Sequence, residues 1–175
     1  AQLPMYDWPE VRSATNTLWR SIATAFARHG VPTPKTLDRS IPVEKVWRSP
    51  NLLLAQTCGL PYVRYLRDTV RILGVMAYDL SGCRTGEYHS VLVVHQAAAI
   101  SELKACRGAR VAINSDDSYS GCLALDRGVA TFFEGTFFGE RISTGSHRES
   151  IRAVARGSAD LAAIDCVSWA LALKH

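Results

Sequence analysis

An α/β fold is predicted for this 175-residue chain by three features of its sequence. Short apolar runs alternate with helix-patterned runs over nearly the whole length, and the second half repeats helix, strand, helix, strand in regular order. Several of the apolar runs end in turns of Ser, Gly, Asn or Asp, as strands that feed crossover helices do.

Taken in order, LPMYD is expected to be a first strand, and the Pro-Glu of WPE opens a helix through SATNTLWRSIATAFARH. Val11, Leu18, Trp19, Ile22 and Phe26 fall on one face of it, and Gly30 with Pro32 stops it. After the Pro-rich connector VPTPKTLDRSIP, VEKVWRS reads as a short helix, NLLLAQ as a strand entering the turn TCGLP, and PYVRYLRD as a helix. TVRILGVMAYD and EYHSVLVVHQ are β-rich runs separated by the turn LSGCRTG, and they have the character of sheet and hinge. The remaining segments are ISELKACRG (helix), RVAIN (strand), SGCLALDRGVATFF (helix), ERIST (strand), HRESIRAVARGS (helix), DLAAID (strand) and CVSWALALKH (helix). Parallel, right-handed crossovers follow from that order, with ligands expected outside the carboxyl ends of the strands.

Composition narrows the function. With 47% hydrophobic and 21% charged residues the chain can build one domain or two small lobes with real cores. The net charge of +4 is too small for a nucleic-acid footprint and suits a small anionic ligand. No apolar run reaches 18 residues, and AQLPMYD has neither the basic nor the apolar region of a secretory signal, so the expectation is a cytoplasmic protein or one whose signal has been removed. The five cysteines show no CxxC and no zinc-type Cys/His spacing, so no metal site and no cofactor is expected. Cys58 and Cys83, both in loop-like settings, are the pair expected to bond in an oxidising compartment, unless all five are simply small buried hydrophobes.

Chemistry is expected at the turns. After RVAIN, Ser118 or Ser120 can cap the next helix while Gly121 lets backbone approach a ligand. A second turn holds Thr144, Gly145, Ser146 and His147, and two helix N-termini from neighbouring crossovers can converge on one tetrahedral anion. Each turn taken singly is also an ordinary N-cap. Asp165 follows four apolar residues and must pair, cap or bind, and an acceptor beside an anion selects groups that still carry a proton. Tyr6, Asp7, Gln56, Thr57, Tyr78, Tyr88 and Ser90 stand at strand ends in the first half. Ser120, His147 and Asp165 are the residue types of a hydrolase triad, but GxSxG, GxxxxGK[ST], GxGxxG and HExxH are all missing.

MYDWPE, LLLAQTCGLP, GEYHSVLVV, VAINSDDSYSG and STGSHRESIRAVARGSADLAAID together resemble, in order, the periplasmic phosphonate/phosphate-binding proteins of ABC transporters, the phosphonate-binding branch of the type II periplasmic binding fold. That resemblance implies two lobes with mainly parallel sheets flanked by helices, 1–90 and 91–175, with the anion in the second. By the same resemblance Ser118, Ser120 and His147 bind the oxyanion, Tyr88 closes over it, and Gln56, Thr57 and Asp165 add contacts. It implies a binding protein, not an enzyme, that captures phosphate, phosphite or a phosphonate in the periplasm for transporter membrane subunits. Family members continue past the point where this chain stops, at ALALKH, and return to the first lobe; a partner chain, including a second copy, could supply that return. The alternatives are a hydrolase using Ser120, His147 and Asp165, a ligand-sensing domain of the same fold, and a ferric site of Tyr6, Tyr88, Asp165 and His147.

Overall fold

In the computed structural model, which describes residues 1–98 and 100–175, the chain separates at Ile72/Leu73 into two units. In the first, a 3-10 turn at Pro9–Val11 leads into helix α1 (Arg12–Arg28). Pro9 suits that opening because its fixed φ and missing N–H cost nothing in a first turn. Trp19 is the anchor: it is 2% exposed, packs with Leu3 and Leu37 against Ile22, Ala23, Leu53 and Leu54, and donates from Nε1 to the Pro34 carbonyl at 3.2 Å. Leu18, expected on the same face, is 36% exposed instead, because it precedes Trp19 by one residue and so points about 100° away around the helix. Gly30 ends the helix at φ 70°, a conformation in which any side chain would be strained.

LPMYD and NLLLAQ do not form a regular ladder. The one β-bridge here is parallel and lies just before the first run, at Gln2–Ala55, with Gln2 N donating to Leu54 O (3.0 Å) and Gln56 N to Gln2 O (3.1 Å). Asp7 does not cap α1; it forms an ion pair with Arg39, which also donates to Asn16 Oδ1 at 2.8 Å. Helix α2 (Val43–Trp47) and helix α3 (Gly59–Pro61), continued by a π turn at Tyr62–Leu66, complete the unit. The β-rich run from Thr69 to Asp79 contains no regular strand. Ile72, Leu73 and Val75 are more than half exposed, since β-branched residues form a strand only where an edge is there to pair with. The boundary between the units falls in this run, whereas residue 90 already belongs to a strand of the second.

The second unit is built on a four-stranded sheet of order β1-β4-β2-β3, from β1 (Ser90–Val94), β2 (Arg110–Ile113), β3 (Glu140–Ser143) and β4 (Leu161–Asp165). β4 and β3 run parallel to β2, while β1 is antiparallel to β4, with Ser90 opposite Asp165. Period-two alternation divides the core cleanly. Val111, Ile113, Leu161 and Ala163 face a cluster with Leu125, Val129, Phe137 and Phe138; Ala112, Ala162 and Ile164 face the other side with Val154 and Ala159. β4 is buried along its whole length, which is why DLAAID reads as one apolar run. The chain packs closely where Gly139 passes Gly108: a Cβ on Gly139 would stand 2.4 Å from the Gly108 carbonyl oxygen.

The helices follow the parallel strands as expected. Tyr119–Leu123 is a π turn that runs into α4 (Ala124–Ala130), α5 spans His147–Ala155, and α6 spans Cys166–Lys174. ISELKACRG shortens to a 3-10 turn at Leu103–Cys106. Among the described residues, no helix is long and apolar enough to cross a membrane.

Candidate functional site

The site gathers at the carboxyl ends of β2, β3 and β4, where three helices begin. Ser118 caps the first of these, its Oγ accepting from Gly121 N at 3.0 Å, and it is buried in doing so. Ser146 caps α5 by accepting from Glu149 N at 3.2 Å. Asp165 caps α6, its Oδ1 accepting from Val167 N (3.0 Å) and Ser168 N (2.9 Å). With those amides satisfied, the first-turn amides of Tyr119, Ser120 and His147 have no acceptor within their own helices and leave a positive dipole end at each.

Three side chains converge between these caps. Ser120 Oγ lies 2.9 Å from His147 Nε2, and the same nitrogen lies 3.3 Å from Asp165 Oδ2. An ionised carboxylate only accepts, so Nε2 carries its proton toward Asp165 and Ser120. His147 Nδ1 and Asn114 Oδ1 are buried without a hydrogen-bond partner among the described residues, and buried polar groups in that state call for a ligand or water. Gly121 completes the wall: a Cβ there would meet Asn114 Oδ1 at 1.9 Å and His147 Cε1 at 2.9 Å. Ser90, at the start of β1, ties this corner together by donating from Oγ to the Ser120 carbonyl at 2.9 Å.

Electrostatics favour a neutral ring. Burial lowers the pKa of His147 from its ordinary 6.5, opposed by the Asp165 carboxylate and the Ala163 carbonyl. Tyr78 is pushed up to about 12, first by burial and then by the Asp165 charge, so its phenol stays a donor at neutral pH. For His147 the unfolded chain takes up protons near 6.5 while the folded one resists them, so the folded state loses stability as pH falls below about 6.5 and keeps it in full above. Denaturant unfolding at pH values on either side of 6.5 is expected to show that loss, reduced in His147→Gln; an identical pH profile for the variant would contradict it.

Of the residues expected at the site, Ser118, Ser120, Gly121, His147 and Asp165 come together. Thr144 is next to them but committed to its turn: its Oγ1 is 3.1 Å from the carbonyls of Ile113 and Ser146 and 2.7 Å from Ser150 Oγ. Ser146 is likewise occupied as a cap. Tyr88 is 43% exposed and, with Ser90, Leu92, Tyr119, Leu125 and Ala163, lines a cavity of about 360 Å3. Gln56 and Thr57 belong to the first unit, where Gln56 Oε1 accepts from Met5 N (3.2 Å) and Thr57 Oγ1 donates to the Cys58 carbonyl (3.1 Å). Asn114 was missed by the sequence reading, although a polar residue closing the apolar strand RVAI is the same signal that picked out Asp165.

The cysteine pairing differs from expectation. Among the described residues no disulfide is formed; Cys83 Sγ lies 3.4 Å from Cys166 Sγ, while Cys58 Sγ contacts Met5 Sδ at 3.8 Å. Loop setting does not reveal this partnership, because the antiparallel pairing of β1 with β4 is what carries the Cys83 turn to the start of α6.

The profile of the family described as "ABC transporter, phosphonate, periplasmic substrate-binding protein" matches residues 48–174. The chain belongs to this phosphonate-binding family. No curated protein matches it significantly. Membership in a periplasmic substrate-binding family implies an extracytoplasmic location, a small-molecule ligand and the membrane subunits of an ABC transporter as partners. Mixed α/β architecture with a mainly parallel sheet flanked by helices agrees with it.

Proposed function

We propose that the protein captures a small tetrahedral oxyanion, phosphate, phosphite or a phosphonate, at the strand ends of its second unit and delivers it to a transporter without chemical change. The observation that carries this reading is the convergence of two helix N-termini, opened by Ser118 and Ser146, on a corner holding Ser120, His147 and Asp165. First-turn amides and the Ser120 hydroxyl would donate to the anion, with the dipole ends supplying positive potential. The acceptors on the opposite wall, Asp165, Asn114 Oδ1 and the unprotonated His147 Nδ1, favour a ligand that keeps a donor of its own, such as a P–OH or an ammonium group. Tyr88 and the adjacent cavity offer space for an organic substituent beyond the oxyanion.

The same geometry speaks against a hydrolase. A serine triad needs one ring nitrogen free to take the serine proton and the other held by the carboxylate. Here Ser120 and Asp165 share Nε2, so the nitrogen that would act as base already carries the proton directed at Asp165. No ester turnover is expected.

Isothermal titration of anion-stripped protein with phosphate, phosphite, methylphosphonate and 2-aminoethylphosphonate tests the reading. Binding of at least one at micromolar concentration is expected, with His147→Ala weaker by about 1 to 3 kcal/mol because the ligand's own donor loses the acceptor Nδ1. No heat with any of the four, or an unaltered affinity in the variant, would remove the anion or the histidine from the account.

A further inference from the structure

We propose that Cys83, His89 and Cys166 bind one zinc-like divalent ion through two thiolates and an imidazole. The ligand atoms of these three residues all lie within 4.8 Å of one another. Cys83 Sγ is 3.6 Å from His89 Nδ1 and 3.4 Å from Cys166 Sγ. In a tetrahedral site with metal–sulfur bonds of about 2.3 Å and metal–nitrogen bonds of about 2.0 to 2.1 Å, the sulfur–nitrogen edge is about 3.6 Å and the sulfur–sulfur edge about 3.8 Å. The donors therefore stand close to where the ion needs them, leaving the fourth position to water or another donor.

Local structure presents them deliberately. Leu80 to Cys83 form a turn closed by Cys83 N donating to Leu80 O at 3.0 Å, with Gly82 at φ 79°. A Cβ on Gly82 would also stand 3.4 Å from His89 Cε1, so glycine both permits the turn and lets the ring lie against it. On the other side, the His89 carbonyl accepts from Cys166 N at 3.0 Å, extending the β1–β4 pairing by one step and fixing the histidine beside the buried thiol. Two thiols in contact in an oxidising compartment either form a disulfide or are held by a metal. The third donor, His89, favours the metal, since a disulfide has no use for it. An ion here would pin the Cys83 turn to the start of α6, one residue from Asp165 and one from Ser90.

A search for local Cys/His spacing could not find this cluster, because Cys83 and Cys166 are 83 residues apart. The test is titration of the reduced 175-residue protein with Co2+. One equivalent is expected to give thiolate-to-cobalt charge-transfer absorption and the strong d–d bands of tetrahedral cobalt, both removed by Zn2+. Cys83→Ser, in a turn rather than a core, should abolish the charge-transfer band; His89→Ala should weaken binding more than about tenfold; Cys58→Ser should leave both unchanged. Absence of the bands in the reduced protein overturns the proposal, as does a Cys83–Cys166 disulfide whose reduction restores no cobalt binding. So does an undiminished affinity in His89→Ala. Because the readout is the metal's own spectrum, the result stands apart from that of the anion titrations.

Discussion

Replacing Gly121 with alanine is expected to cost the protein its anion binding, with affinity falling more than about 100-fold, or about 2.7 kcal/mol. The added methyl would arrive 1.9 Å from Asn114 Oδ1 and 2.9 Å from His147 Cε1, both inside the distances that real Cβ atoms keep. Asn114 can rotate, but only by leaving the wall of the site; His147 can shift, but only by breaking its 2.9 Å contact with Ser120 and its 3.3 Å contact with Asp165. Either movement fills or distorts the space the oxyanion needs. Overpacking of this kind also destabilises by about 1 to 3 kcal/mol, so the folded fraction should be checked by circular dichroism before titration. Wild-type affinity in a folded Gly121→Ala protein would mean that the anion sits elsewhere.

The second large effect is on stability. Asp165→Ala should lower the unfolding free energy by about 3 kcal/mol, the sum of a lost helix cap and of buried donors left without an acceptor. Oδ1 satisfies two first-turn amides of α6, and Oδ2 faces the His147 N–H; the side chain is almost wholly buried, so water cannot replace it. Asp165→Asn keeps an oxygen for the cap but turns an amide donor toward a ring nitrogen that is itself a donor, and an intermediate loss is expected. Denaturant unfolding of the two variants beside the native protein measures both. A change under about 0.5 kcal/mol in Asp165→Ala would show that the cap and the histidine contact contribute little, and the carboxylate would then be there for the ligand alone.

Two roles are open to Asp165, and its variants tell them apart. If Asp165 chiefly holds α6 and His147 in place, its loss should reduce stability and binding together. If it chiefly reads a ligand proton, Asp165→Asn should alter the preference among phosphate, phosphite and 2-aminoethylphosphonate more than it alters stability, because selectivity lies in the difference between ligands.

Much of the second unit was legible because its signals are local. DLAAID and RVAIN are apolar runs of strand length closed by a polar residue, and HRESIRAV follows a Ser cap with Glu three residues on, the pattern of a helix start. The parallel order of β2, β3 and β4 follows from strands joined by helices. The first half was harder to read. LPMYD and NLLLAQ have strand composition yet form no ladder, the one bridge nearby being Gln2–Ala55, and the run from Thr69 to Asp79 has β-branched residues but no regular strand, because composition does not say whether a pairing edge is present.

By itself, then, the sequence determined the alternating architecture, the two capped turns that face the ends of the strands, and the small set of Ser, His and Asp residues from which a site could be made. Only the tertiary structure decided how they meet. It placed Ser120 and Asp165 on one nitrogen of His147, instead of on the two nitrogens that a serine triad uses. It also brought Asn114 against Gly121, committed Thr144 and Ser146 to their own turns, and carried Cys83 and His89 to Cys166 through the pairing of β1 with β4. The physical reason is the range of the interactions: caps, turns and periodicity act over a few residues and can be read along the chain. The contacts that choose which nitrogen, which oxygen and which thiol face one another are made across strands far apart in sequence, and they exist only once the sheet has formed.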